Sequence, residues 1–80
     1  MRKKSAKALI NIENLGKRIR ALRKAKGYTN ADFFAYENKI DRSQYGKYER
    51  GLDMTFSSIL KICEIHDISL EKYFSDSFKN

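Results

Sequence analysis

The sequence has few of the residues that form crosslinks or interrupt helices, and it lacks tryptophan. Its 80 residues include no proline, no tryptophan and a single cysteine, Cys63. One thiol excludes an internal disulfide and a site built from several thiolates, and it fits a reducing cytoplasm best. After the basic start only Ala8-Leu9-Ile10 is apolar before Asn11, so we expect neither a signal peptide nor a membrane-spanning segment.

The sequence also has no recognisable arrangement of catalytic residues. Eighty residues predict one domain, too short for an active site enclosed between two lobes. His66, the sole histidine, and Cys63 belong to no metal-ligating pattern, and no nucleophile is patterned with a base. We therefore predict a binding module rather than an enzyme, with no cofactor, metal or small-molecule ligand.

Positive charge is concentrated in one part of the chain. Residues 1–26 hold ten Lys or Arg and one acidic residue, whereas residues 27–80 hold seven basic and nine acidic residues. The basic part is a candidate surface for phosphates. The alternative is that its first residues form a solvated, disordered tail.

An apolar stripe predicts the first helix. Its side chains recur at spacings of three, four and three residues, which places them on one side of a helix. They are Ile12, Leu15, Ile19 and Leu22. Asn11 is a suitable N-cap and Gly27 a suitable end. This divides the chain into a flexible basic tail at 1–11, a domain at 12–74 and a C-terminal tail at 75–80.

Two short helices are predicted next. The second helix opens at Thr29 or Asn30 and ends near residue 37 or 38. The third follows the N-cap Asp41 and stops at Gly51. Two short helices joined by about three residues have the spacing of a helix-turn-helix.

Two further helices complete the predicted core. Thr55 is a suitable N-cap for a fourth helix that ends at His66-Asp67, and Ser69 opens a fifth. The fourth helix should bury the apolar residues spaced 0, 3, 4 and 7, which are Phe56, Ile59, Leu60 and Cys63. No segment alternates convincingly, so the predicted fold is all-α with five helices.

The fifth helix contributes aromatic residues with two possible uses. Leu70, Tyr73, Phe74 and Phe78 either seal the core or form a dimer surface. Phe33, Phe34 and Phe56 are interpreted as core residues, since aromatic side chains at helical spacing are more often core than a stacking platform.

The third helix has one apolar side and one polar side. Tyr45 and Tyr48 fall three residues apart and can face inward. The remaining surface carries Arg42, Ser43, Gln44 and Lys47. These side-chain types distinguish base pairs in the major groove of DNA, although each could also be ordinary solvated surface. Gly46 lies inside this helix, either to allow a close approach or as a tolerated loss of stability.

Several motifs in this order resemble the phage repressor and Cro-like helix-turn-helix family, also called the xenobiotic-response-element type. The resemblance covers roughly residues 12–74 and rests on motifs that are specific only together. They are Leu15-Gly16-Lys17-Arg18-Ile19-Arg20-Ala21-Leu22-Arg23, Phe34-Ala35, Ile40-Asp41-Arg42-Ser43-Gln44-Tyr45, Tyr48-Glu49-Arg50-Gly51 and Ile68-Ser69-Leu70. The resemblance implies a compact five-helix domain in which helices 2 and 3 form the DNA-reading unit.

The resemblance also implies roles for single residues. Ala35 matches a small residue that lets the two helices approach, and Ile40 joins the two tyrosines at core positions. Arg23 and Glu49 match a pair that forms a structural salt bridge between the first and third helices.

Two departures stand out from the family pattern. The family often has Gln in the first turn of the second helix, where it holds a phosphate and braces the reading residues; the nearest residues here are Asn30 and Ala31. The turn position usually held by Gly is Lys39, so either Asn38 or Lys39 should adopt the left-handed conformation.

The leading functional hypothesis is a sequence-specific regulator of transcription that binds double-stranded DNA, as a homodimer. The predicted base contacts are Arg42, Ser43, Gln44 and Lys47, and the predicted phosphate contacts are Lys17, Arg18, Arg20, Thr29, Asn30 and Arg50. The alternative is a protein-interaction module, such as the antitoxin of a toxin pair or an adaptor that retains the fold.

Overall fold

The computed structural model describes residues 6–52 and 54–77, with side chains from residue 11 onward. Over these ranges the chain forms five α-helices and no strand, which confirms the predicted fold class. The helices are α1 (Ala6–Ala25), α2 (Ala31–Glu37), α3 (Arg42–Glu49), α4 (Phe56–Ile65) and α5 (Leu70–Ser77). Residues 1–5 of the predicted tail, and Phe78, lie outside the described part of the chain.

Side-chain caps begin four of these helices. Each capping oxygen accepts a hydrogen bond from the backbone N–H three residues later, at 2.9–3.2 Å. The caps are Asn30, Asp41, Thr55 and Ser69. Helix α1 differs from its prediction, because it begins at Ala6 and Asn11 is not its N-cap. Ala, Lys and Leu at positions 6–9 are strong helix formers, so the helix continues through them.

Every helix contributes one large side chain to the fully buried centre of the molecule. These side chains are Ile19, Phe34, Tyr45, Ile62 and Tyr73. Ala35, at 0% exposure, lies beside them on α2, where a larger side chain would separate α2 from its neighbours. The five-helix arrangement therefore encloses one shared core.

The predicted buried side of α4 is right for Ile59 and Cys63 and wrong for Phe56 and Leu60. Phe56 is 57% exposed and Leu60 is 46% exposed, whereas Ile59, Ile62 and Cys63 are buried. Both sets satisfy the same helical spacing, so the packing of the other helices decides between them. Phe33 is likewise 53% exposed, because consecutive residues of a helix point about 100° apart and Phe34 takes the inward direction.

His66 closes the core at the end of α4. It is the C-cap residue, and its ring stacks on Phe34 at 5.4 Å with an interplanar angle of 5°. Burial lowers the pKa of His66 to about 4, and the nearby charges of Lys26 and Arg18 act in the same direction. The imidazole is therefore packed as a neutral ring.

Two glycines let α1 cross the end of α3 closely. A Cβ on Gly16 would lie 2.5 Å from the backbone nitrogen of Gly51. Gly51 has φ +72°, and a Cβ there would lie 2.7 Å from the Cα of Glu13. Only glycine allows this contact between backbones, and it fixes where α3 ends relative to α1.

Helix α5 closes the other side of α1. Tyr73 is fully buried, and its hydroxyl donates to the carbonyl oxygen of Leu15 at 3.0 Å. Phe74 is half-buried and packs against the same core. Of the two predicted uses of these aromatics, Tyr73 has the core role, and the dimer surface stays a prediction.

Candidate nucleic-acid interface

Helix α3 packs against the core on one side and is exposed to solvent on the other. Tyr45 and Tyr48 are buried, and the Tyr48 hydroxyl donates to Ser58 Oγ at 2.9 Å. The Asp41 carboxylate accepts from the backbone N–H of Gln44 at 2.9 Å, which sets the start of the helix. The exposed side carries the four predicted base-contact residues, Arg42, Ser43, Gln44 and Lys47. The structure thus brings these four together on the exposed side of a helix whose orientation is fixed by its buried tyrosines.

The turn between α2 and α3 is tight and slightly strained. Lys39 adopts the left-handed conformation with φ +58°, which settles the choice between Asn38 and Lys39. Asn38 instead has φ −101°, and its side-chain amide donates to the carbonyl oxygen of Phe34 at 2.9 Å. A left-handed lysine costs ~1 kcal/mol. The buried Ile40 that follows holds the turn against this cost.

A buried ion pair joins α1 to α3. The Arg23 Nε donates to Glu49 Oε2 at 2.7 Å and its Nη2 to Oε1 at 3.1 Å, so the contact is bidentate. The remaining nitrogen, Nη1, donates to the carbonyl oxygen of Tyr28 at 2.9 Å. The two charged side chains are only 5% and 11% exposed. This is the pair that the resemblance implied, and it also ties in the loop before α2.

The same pair shapes the electrostatics around it. Hydrogen bonding to Glu49 raises the pKa of Arg23, although burial opposes this. Burial strongly raises the pKa of the adjacent Tyr45 phenol, and Glu49 adds to that shift. The guanidinium therefore stays charged and the phenol neutral, which keeps the junction of α1 and α3 unchanged over the physiological pH range.

An open cleft lies where the chain passes from α1 to α2. Its volume is about 680 Å³, and it is lined by Lys26, Gly27, Tyr28, Thr29, Asn30 and Phe33. Thr29 and Asn30 are both exposed there. The Asn30 side-chain oxygen is used in capping α2, which leaves its NH₂ group to donate outward. The cleft brings these two predicted phosphate contacts beside a cation, Lys26, that was not among them.

The predicted phosphate contacts on α1 separate into two directions. Arg20 is exposed one turn after Gly16, on the side of α1 that packs against the end of α3 near Arg50. Lys17 lines a different cleft, toward α5, together with Asp76 and Ser77. Arg20 and Arg50 therefore lie near the junction of α1 with the end of α3, whereas Lys17 lies farther around α1.

Arg18 does not fit the predicted set. Its Nη2 donates to Asp76 Oδ2 at 2.8 Å, and its side chain is only 21% exposed. Lys72 Nζ lies 3.3 Å from the same carboxylate oxygen. Arg18 follows Leu15 by three residues and thus flanks the core, which turns it toward α5. Arg18 joins α1 to α5, so its guanidinium is already paired and is not one of the proposed phosphate contacts.

A contact that the sequence reasoning missed lies at the start of the two helices. Asp32 in the first turn of α2 has its Oδ2 3.9 Å from Arg42 Nη1, at the first residue of α3. Both side chains are well exposed, at 67% and 76%. Opposite charges in neighbouring helices were visible in the sequence, but their proximity depends on the turn between them.

The part of the chain that the structure describes offers little to other kinds of site. It contains no grouping of three His, Cys, Asp or Glu side chains that could hold a metal ion. Across the same residues, no helix combines the length and the apolar composition needed to cross a bilayer. The arrangement around α3, with its exposed cations, thus stands out as the candidate site.

Comparison with known proteins agrees with this geometry. No curated protein and no solved structure matches the chain. A family model described as helix-turn-helix matches residues 19–73, more than half of the chain. The matched range includes α2, the strained turn, α3 and both partners of the buried ion pair. The chain therefore belongs to the helix-turn-helix family of the Cro/C1 type, as its motifs predicted.

Proposed function

We propose that this protein is a sequence-specific regulator of transcription that reads the major groove of double-stranded DNA with α3. The observation that carries the proposal is the division of α3 into a locked side and an exposed polar side. A helix that is rigidly mounted on two others can enter a groove about 12 Å wide without rearranging. A regulator of this kind acts in the compartment that holds the DNA, which agrees with the cytoplasmic location expected from the sequence.

The exposed side chains of α3 have distinct recognition chemistry. Arg42 can donate two parallel hydrogen bonds to O6 and N7 of guanine, and Gln44 can pair with N6 and N7 of adenine. Ser43 can donate or accept, and Lys47 reaches either a guanine or a neighbouring phosphate. Ser43 and Lys47 lie four residues apart, opposite the buried tyrosines, so they face the groove most directly.

The proposed phosphate contacts flank this helix on two sides. Arg20 and Arg50 supply cations near the end of α3, and Thr29 and Asn30 supply donors before α2. Lys17 stays in the set as a more distant cation. These contacts position the protein and make its affinity depend on salt, because bound cations release counterions from DNA.

We further propose that the protein binds as a homodimer to a roughly palindromic site. Two copies related by a twofold axis would present their α3 helices to half-sites about 34 Å apart. Because Tyr73 is buried, we propose that the dimer surface lies on α4 rather than on α5. Phe56 and Leu60 are exposed one turn apart on its outer side, and exposed Leu52 lies just before it.

Selection of binding sites from random duplex DNA, with affinity followed against salt, tests this function. We expect a shared recognition sequence with approximate twofold symmetry, and a log–log salt slope that reflects several phosphate contacts. Binding that falls with salt but selects no sequence would contradict the reading role of α3. A chain that acts only as an antitoxin or adaptor would retain no duplex, which is the outcome favouring the alternative.

A further inference from the structure

The contact between Asp32 and Arg42 crosses from one helix of the reading unit to the other. Arg42 is the first residue of α3, and Asp32 lies in the first turn of α2. The atoms Asp32 Oδ2 and Arg42 Nη1 are 3.9 Å apart. The pair therefore lies at the end of α3 from which, under the proposed function, side chains reach base edges.

Neither Asp32 nor Arg42 serves as the cap of its helix. Asn30, not Asp32, caps α2 by accepting from the backbone N–H of Phe33 at 2.9 Å. Asp41, the carboxylate next to Arg42 in sequence, accepts from the backbone N–H of Gln44. Each helix start thus has its own acceptor, and the Asp32 carboxylate extends across to the Arg42 guanidinium.

The contact between the two side chains adds little to folding. Both side chains are more than two-thirds exposed, and exposed ion pairs contribute only about 0–1 kcal/mol to stability. Binding to DNA changes this balance, because the approaching duplex displaces part of the solvent around the pair and strengthens the attraction between the two charges. A carboxylate beside a reading arginine matters mainly when the groove is occupied.

We propose that Asp32 is a positioning residue that sets sequence specificity through Arg42. The carboxylate lies 3.9 Å from Nη1, an ion-pair distance, and attracts that edge of the guanidinium toward α2, which leaves the other N–H groups of the planar fork to point at guanine. The same negative charge lies close to the DNA backbone, where it weakens binding to sequences in which Arg42 finds no guanine. Specificity is the difference between the affinities for the correct and the wrong sequence. Asp32 strengthens binding where Arg42 finds a guanine and weakens binding where it does not.

This inference rests on the proposed function, and variants of the full chain can separate the two. Affinity is measured on the selected duplex, on the same duplex with the base pair read by Arg42 replaced, and on an unrelated duplex. The proteins are wild type, Asp32→Ala, Arg42→Ala and the double variant. Glu71→Ala is the matched control, since it also removes one exposed negative charge from the first turn of a helix, in this case α5.

We expect Asp32→Ala to reduce discrimination at that base pair by about 10-fold, within the range of one bidentate base contact. Discrimination elsewhere in the site should stay unchanged, and the melting temperature should equal that of the Glu71→Ala control, since both substitutions remove an exposed carboxylate from the first turn of a helix. In the Arg42→Ala background the Asp32 substitution should have no further effect on discrimination, because its action passes through Arg42.

Two results would overturn the inference alone. One is a selected sequence whose discrimination survives Asp32→Ala in full; the other is an Asp32→Ala effect that is equally large without Arg42. A wild-type protein that shows no sequence preference would instead remove the proposed function, and this inference with it.

Discussion

Two arginine–carboxylate pairs join α3 to its neighbouring helices, and they differ in distance, geometry and burial. Arg23 and Glu49 meet at 2.7 Å in a bidentate contact that is almost entirely buried. Arg42 and Asp32 approach to 3.9 Å on the open surface. The buried pair holds α3 on α1 and does not change when DNA arrives, whereas the exposed pair is free to change partners. The domain thus separates the charges that set its geometry from those available for recognition.

Removing one partner of the buried pair should have the largest effect. Glu49→Ala leaves the Arg23 guanidinium buried without its counter-charge, which costs about 3–5 kcal/mol of unfolding free energy. Urea unfolding followed by circular dichroism measures the change. Asp32→Ala, which removes the exposed carboxylate, is the matched control and should change stability by less than about 1 kcal/mol. Equal losses in the two variants would contradict the distinction between the pairs.

Acidification should lower the free energy of unfolding of the domain, because His66 is buried as a neutral ring. Its folded-state pKa of about 4 lies below the ordinary value of 6.5, so the unfolded chain binds a proton first as the pH falls. The stability associated with the neutral ring is complete above pH 6.5 and is lost as the pH decreases toward 4. The thermal midpoint of the wild type should therefore fall more steeply between pH 7 and 5 than that of His66→Asn. Parallel curves for the two proteins would show that burial of His66 has no such effect.

The smallest predicted effect concerns the exposed side of α3. In the structure a Cβ on Gly46 would meet only the guanidinium of Arg50, at 3.2 Å, and that flexible side chain can move. Gly46→Ala should therefore stabilise the protein by about 0.5–1 kcal/mol through helix propensity. Thermal unfolding measures the gain. If DNA affinity falls at the same time, Gly46 serves a close approach to DNA; if it is undiminished, the glycine was merely tolerated.

Local signals explain what could be predicted from the sequence. Caps such as Asn30, Asp41 and Thr55 act within one turn, so they are visible as residue types at fixed offsets. The five helices and the reading unit followed from these signals and from apolar spacing. The early start of α1 escaped because residues 6–10 extend a helix without a stop signal.

Features that depend on three-dimensional packing could not be predicted in the same way. The apolar residues of α4 satisfy helical spacing in two ways, and the packing of the other helices buries Ile62 rather than Phe56 and Leu60. Arg18 reads as one more cation in a basic run, yet the placement of α5 gives it Asp76 as a partner. The contact of Asp32 with Arg42 likewise exists because Lys39 adopts a left-handed turn. The base and phosphate contacts stay predictions.

Binding-site selection with wild type and Arg42→Ala side by side tests the central claim most directly. If α3 reads the major groove with Arg42 on a guanine, the substitution should cost ~1–3 kcal/mol on the selected site and relax the preference at one base position. All other positions should keep their preferences. An affinity that falls equally on every sequence would make Arg42 a phosphate contact and contradict the account of how this domain recognises DNA.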